Sequence, residues 1–115
     1  MTATPCMFCR IAAGEAPANI VYTDAEVIAF HDIMPQAPTH ILVVPIRHIG
    51  SAAELDDDDQ DLAGRLILIA ARVAAQAGLS AGYRLVINNG RQAGQTVGHL
   101  HVHLLGGRPM RWPPG

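Results

Sequence analysis

The chain opens with short apolar runs separated by turn residues and later changes period. Ile20-Val21-Tyr22 and Val27-Ile28-Ala29-Phe30 read as strands joined by a turn at Asp24-Ala25, which predicts a hairpin. Pro35 and Pro38 then hold an extended loop. Ile41-Leu42-Val43-Val44-Pro45 is nearly unbroken in apolar character, the mark of a strand covered on both faces. Leu62, Leu66, Ile69 and Val73 recur at helical spacing, so one long helix is expected from the acidic run 56–59 to about Gln76. The carboxylates suit the positive end of its dipole, and Gly78 ends it. A short helix is expected over residues 8–13, stopped by Gly14 and Ala16-Pro17, with a further helical start over 51–55. Residues 83–88 predict a fourth strand before the Asn89-Gly90 turn, and a loop with several glycines runs on to Gly98. Residues 99–103, in which His alternates with Leu and Val, predict the fifth. Five strands, one long helix and one short one define an α+β domain with a mainly antiparallel sheet.

That last run changes what the pattern can mean. On a strand, His99, His101 and His103 share one face, about 6 to 7 Å apart, while Leu100, Val102 and Leu104 cover the other. A polar strand face needs no function, yet imidazole titrates near neutral pH and seeks partners for two ring nitrogens. Three ligands so spaced cannot all reach one ion at about 2.0 to 2.1 Å without distortion, so at most one or two share a metal. A catalytic row remains, in which one ring attacks while its neighbours orient it, donate protons or hold the substrate.

Composition narrows the setting. A length of 115 residues allows a single domain, 1–115, with one core. Half the residues are apolar and 16% charged, which suits a folded chain. A net charge of −2 provides no footprint for a nucleic-acid polymer or an anionic membrane. No apolar stretch has the length of a membrane span, and the first residues lack the basic start and apolar run of a secretory signal. A cytoplasmic protein is expected.

Cys6 and Cys9 form a lone Cys-x-x-Cys. No strand precedes them, as a redox pair would require, and a disulfide suits a reducing compartment poorly. A zinc site needs two further ligands, which histidines can supply; otherwise they are two small buried thiols. His48 is expected to be exposed or end-capping, without chemistry. The loop from Gly90 to Gly98 can bring backbone N–H groups to a phosphate but matches neither a P-loop nor a dinucleotide fingerprint.

Several motifs stand in order along the chain. They are Phe30-His31-Asp32-Ile33-Met34-Pro35-Gln36-Ala37-Pro38-Thr39-His40, then Gly94-Gln95-Thr96-Val97, the histidine row with its two following leucines, and the ending Trp112-Pro113-Pro114-Gly115. Together they resemble the histidine triad (HIT) nucleotide-binding proteins, and among them the Hint branch, across nearly the whole chain. The resemblance implies cleavage of purine nucleoside phosphoramidates or acyl-nucleotides at the α-phosphate. His101 would attack phosphorus to give a nucleotidyl-histidine that water hydrolyses. A backbone carbonyl near His99 would hold the proton of the other ring nitrogen, and His103 would contact phosphate oxygens. Asn88, Gln95 and Thr96 match phosphate-side groups, Thr96 standing where relatives often carry Ser. Asp32 matches the ribose-binding acid, and Phe8, Ile11, Phe30, His31, Ile33 and Leu42 would wall the base.

The same resemblance implies a homodimer formed through strands such as 83–88, with the Trp112 tail approaching the partner's site. Cys6, Cys9, His40 and His99 match the ligands of a structural zinc, while the chemistry itself needs no divalent ion. Two further readings stay open within that resemblance. One is a dinucleoside polyphosphate hydrolase of the same family, against which the Trp-Pro-Pro-Gly ending speaks. The other is a non-catalytic nucleotide-binding scaffold, which the intact triad gives no reason to prefer. A zinc-dependent or redox protein built on the two cysteines would leave the triad unexplained.

Overall fold

Strand β3 (Thr39–Pro45) is the centre of the fold, because all of its residues after Thr39 are buried. The computed structural model describes residues 6–115. On one side β3 pairs with β2 (Val27–His31), which pairs in turn with β1 (Ile20–Thr23). On the other it pairs with β5 (Val102–Gly106), whose outer neighbour is β4 (Tyr83–Val86). The five-stranded order is β1-β2-β3-β5-β4, antiparallel throughout, and the domain is α+β.

The two faces of the sheet bury separate apolar clusters, since successive strand residues point to opposite sides. On one face Val27, Ala29, Ile41, Val43, Val102 and Leu104 pack against Leu66, Ile69, Ala70 and Val73 of the long helix α2 (Gln60–Gln76). On the other, Ile28, Phe30, Leu42 and Val44 meet Phe8 and Ile11 of the short helix α1 (Met7–Ala12). Register sets Phe30, Leu42 and His103 side by side across the strands, so the α1 face is also the histidine face.

The elements differ from the periodic reading mainly at their ends. Residues 99–101 stand outside the ladder, with a bend at His99, and β5 starts only at Val102. Continuing the register Val43↔Val102 would set Leu100 opposite Pro45, which has no N–H to donate. The Leu100 N–H bonds instead to the Ile49 carbonyl at 2.6 Å. Strand β4 stops at Val86, short of Asn88. Asp57–Asp59 forms a 3-10 turn ahead of α2 rather than its first turn. The Asp56 carboxylate accepts from the Asp58 N–H and the Asp59 carboxylate from the Asp56 N–H, while Asp59 also pairs with Arg47. These acids thus act as caps. The expected helical start over 51–55 is a 3-10 turn, Ala52–Glu54. Gly78 follows α2 with φ +77°, where a side chain would be strained. Among the described residues no helix is long and apolar enough to cross a membrane.

Candidate active site

A cavity of about 280 Å³ opens between α1 and the histidine face of the sheet. Helix α1 contributes Met7, Phe8 and Ile11, spaced so that one side of a short helix faces inward. Phe30, His31 and Leu42 come from β2 and β3, Asp32 and Ile33 from the loop between them, and Thr96, Val97, His101 and His103 from the segment entering β5. Every predicted base-wall residue (Phe8, Ile11, Phe30, His31, Ile33 and Leu42) therefore lines one space with Asp32, Thr96, His101 and His103. Met7, Pro17, Ala18 and Val97 also line it and were not anticipated. Met7 was findable, standing three and four residues from the Arg10–Ile11 turn of its helix. A larger concavity of about 590 Å³, bordered by residues 78–83 and 107–110, gathers no imidazole or carboxylate.

Backbone groups fix the proton of each triad ring. The Nδ1 of His101 lies 2.7 Å from the His99 carbonyl, which can only accept, so Nδ1 carries the hydrogen and Nε2 is left with a free lone pair. For His103 the argument runs through a second ring. The Gln36 N–H donates to His40 Nδ1 at 3.0 Å, so in neutral His40 the proton sits on Nε2. That Nε2–H is 2.9 Å from His103 Nδ1, which must accept, leaving the His103 proton on its Nε2. Neighbouring rings thus hold opposite tautomers. His101 has a bare Nε2 and His103 an Nε2–H donor, with ring centres 4.9 Å apart.

Burial favours the neutral form of His103 and His40. It pushes His103 down to about 4, helped by the neighbouring His101 and His40. It lowers His40 as well, against the pull of Asp32 3.4 Å away. His101 is only 5% exposed, at the floor of the cavity, with the Phe8 ring edge-on against it at 5.2 Å between centres. Such a site can attack an electrophile with one ring while the next donates to an oxygen on it.

Asp32 belongs to the same polar cluster, with a carboxylate oxygen within 4.8 Å of ring nitrogens of His40 and His103. One carboxylate oxygen accepts from the Met34 N–H at 2.8 Å, and the second faces His40. Beside it Ile33 is 92% exposed, an apolar side chain at the cavity mouth. Asn88, Gln95 and Trp112 are not brought to the cavity. Gln95 accepts from the Gly90 N–H and donates to the carbonyls of Gly50 and Val97, bracing the loop that presents Thr96. Asn88 donates to the Ala93 carbonyl in the same loop. Trp112 is 83% exposed.

Behind the cavity Cys6, Cys9, His48 and His99 put four ligand atoms within 4.8 Å of one another. The Sγ of Cys6 is 3.3 Å from His99 Nδ1, and that of Cys9 is 3.3 Å from His48 Nδ1 and 3.5 Å from His99 Nδ1. In a tetrahedral zinc site with two thiolates and two imidazoles, sulfur and nitrogen sit about 3.6 Å apart, so the group fits with small adjustments. The Nε2–H of His99 donates to the Pro45 carbonyl at 2.7 Å, which leaves Nδ1 free to ligate.

The fourth member corrects the sequence expectation, which placed His40 here and gave His48 no chemistry. In an antiparallel pair the start of β3 meets the end of β5, so His40 lies opposite Leu105, far from His99. His48, past the end of β3, is the histidine that reaches the cysteines. The antiparallel register, applied to the two predicted strands, was the signal that could have found it.

Three histidines at alternate positions leading into β5, over a cavity on a five-stranded α+β sheet, define a histidine-triad domain. The HIT domain model matches residues 13–110, and the chain belongs to that family. It is 52% identical over 109 residues to an uncharacterised HIT-like protein of Synechococcus elongatus, covering 95% of this chain and 96% of that one. A HIT family hydrolase from Legionella pneumophila superposes with a TM-score of 0.94 at 49% identity, over 96% of this chain and 100% of that chain. A histidine triad nucleotide-binding protein from Candida albicans aligns with a TM-score of 0.81 at 30% identity, over 95% of this chain and 83% of that one.

Proposed function

We propose that the protein is a nucleotide hydrolase that cleaves purine nucleoside phosphoramidates or acyl-nucleotides at the α-phosphate, through a nucleotidyl-histidine. The pairing of opposite tautomers at His101 and His103 carries this reading. The bare Nε2 of His101 attacks the α-phosphorus, and the P–O bond to the leaving carboxylate, or the P–N bond to an amine that takes up a proton from solvent as it leaves, breaks. The charge gained by the His101 ring is held by its Nδ1–H bond to the His99 carbonyl. His103 donates to a phosphate oxygen, and the Thr96 hydroxyl serves the leaving-group side. Water then attacks phosphorus, releases the nucleoside monophosphate, loses its proton to solvent and restores the imidazole.

Asp32 accepts from the ribose hydroxyls, and the apolar walls hold the base. The Legionella relative is described as a hydrolase and the Candida relative as nucleotide-binding, which supports the reading. Zinc at Cys6, Cys9, His48 and His99 supplies structure there rather than chemistry on the substrate. Free thiols suit a cytoplasmic setting. The edge strand β4, which pairs on one side only and carries the exposed Tyr83, supports a homodimer formed through it. In that dimer Trp112, exposed on its own chain, reaches the partner's site. A monomer in sedimentation velocity at micromolar concentration would remove the dimer from this account.

The test is turnover of adenosine 5′-phosphoramidate by the protein and by His101→Ala, with mass spectrometry of the rapidly quenched wild type. A nucleotidyl adduct mapped to His101 and turnover lost in the variant are expected. Full turnover by His101→Ala sinks the mechanism. Faster turnover of a diadenosine polyphosphate than of the phosphoramidate reassigns the substrate.

A further inference from the structure

Helix α1 touches two sites at once. Met7, Phe8 and Ile11 enter the wall of the cavity, while Cys6, its N-cap, and Cys9 face the imidazoles of His48 and His99. It has six residues, well below the roughly 12 to 15 at which a helix becomes even marginally stable alone in water. Its order therefore comes from what it docks on. That docking consists of Phe8 and Ile11 against the small apolar cluster and the thiols against the two histidines.

The histidine side of the group is tied just as firmly to the reacting end. His99 holds the Pro45 carbonyl with its ring and the His101 ring with its own carbonyl. One group of four ligand atoms thus joins a wall of the cavity to the residue that orients His101.

We propose that a thiophilic divalent cation, zinc by this donor set, bound at Cys6, Cys9, His48 and His99 clamps α1 in place and thereby sets how tightly the cavity holds a nucleotide. This rests on the nucleotide reading above and extends it to the control of the same site. The cation replaces thiol–imidazole contacts by bonds that span α1, the segment after β3 and the approach to β5. Without it, α1 is docked in only a fraction of molecules, and the apparent dissociation constant rises by the inverse of that fraction. A docked fraction of about one tenth weakens binding about tenfold.

The experiment measures AMP binding to the full chain by calorimetry, under a non-thiol reductant. Samples are the zinc-loaded protein, the same protein stripped by chelator, and the stripped protein given back zinc. Zinc content is determined on each, and tryptic cleavage after the exposed Arg10 of α1 is timed alongside. Stripping should weaken AMP binding about tenfold and speed cleavage after Arg10, and zinc should reverse both. His48→Ala, at an exposed position that lines no part of the cavity, should behave as the stripped protein even with zinc present.

Equal AMP affinity in loaded and stripped protein, with one zinc taken up per chain, overturns the clamp and leaves the nucleotide reading intact. Faster cleavage with unchanged affinity does the same. A chain that takes up no zinc overturns the clamp at its metal. Absence of AMP binding in every sample overturns it together with the nucleotide reading.

Discussion

The Nε2 of His40 lies 2.9 Å from the Nδ1 of His103, and the nitrogen on the far side of the His40 ring accepts the Gln36 N–H. One backbone proton in the loop between β2 and β3 therefore decides, two rings away, which nitrogen of His103 is protonated. His101 receives the opposite instruction from a backbone carbonyl. Two identical side chains, with ring centres 4.9 Å apart, are set in opposite tautomers, one with a bare Nε2 and one with an Nε2–H.

Removing the intermediate ring should scramble that assignment. His40→Ala frees His103 to adopt either tautomer, so kcat on a phosphoramidate should fall by about 10- to 100-fold while KM moves little. His40→Gln, which keeps an N–H able to reach His103, should recover part of the loss. Long-range ¹H–¹⁵N NMR of the imidazoles checks the cause directly. A His103 tautomer unchanged in His40→Ala would leave the ring pair without the role given to it here.

The same burial makes stability depend on pH. His103 is pushed down to about 4 in the folded chain, and His40 is lowered by burial too, from the ordinary histidine value of 6.5. Between these values the unfolded chain binds more protons than the folded one. Stability is therefore complete above about pH 6.5 and falls as the pH drops toward 4. Denaturant midpoints taken at intervals across that window should decline steadily, and His103→Gln should decline less. Equal slopes for the two proteins would mean that other groups govern the acid limb.

Hydrophobic period located all five strands and both helices, because each buries a face or a stripe whose spacing is written in the chain. It could not place their ends. Pro45 stops the β3–β5 ladder by lacking an N–H, so His99 and His101 lie outside β5 while His103 lies within it. His40 and His48 looked interchangeable as partners for the cysteines until the antiparallel register put them at opposite ends of β3. Gln95 and Asn88 lie near a phosphate-like loop in sequence, yet that loop needs their amides to satisfy its own backbone. Polar side chains next to a glycine-rich loop read equally well as ligands or as braces, and only coordinates separate the two.

Gln95 gives a direct test of that distinction. Its amide satisfies the Gly90 N–H and the carbonyls of Gly50 and Val97. Gln95→Ala should cost about 1–2 kcal/mol in denaturant unfolding measured without nucleotide, since partly buried groups lose their partners. KM should rise with it, because Thr96 and Val97 line the cavity from the same loop. A variant with normal stability and lost turnover would make Gln95 a substrate ligand instead.

Asp32 separates ribose recognition from the proton chain it borders. One oxygen is committed to the Met34 N–H, and the other stands 3.4 Å from His40 Nε2, with the cavity in reach. If that oxygen accepts from ribose, Asp32→Asn should weaken AMP about tenfold or more, as charged hydrogen bonds contribute about 1.5–3 kcal/mol. The same substitution should scarcely alter binding of 2′,3′-dideoxy-AMP, which has no hydroxyl to donate there. Calorimetry of both ligands on both proteins closes the cycle, and the coupling between carboxylate and hydroxyls is read from the difference. An equal loss for both ligands would place the effect of Asp32 on His40 and, through it, on His103, making the carboxylate part of the tautomer chain rather than a ribose acceptor.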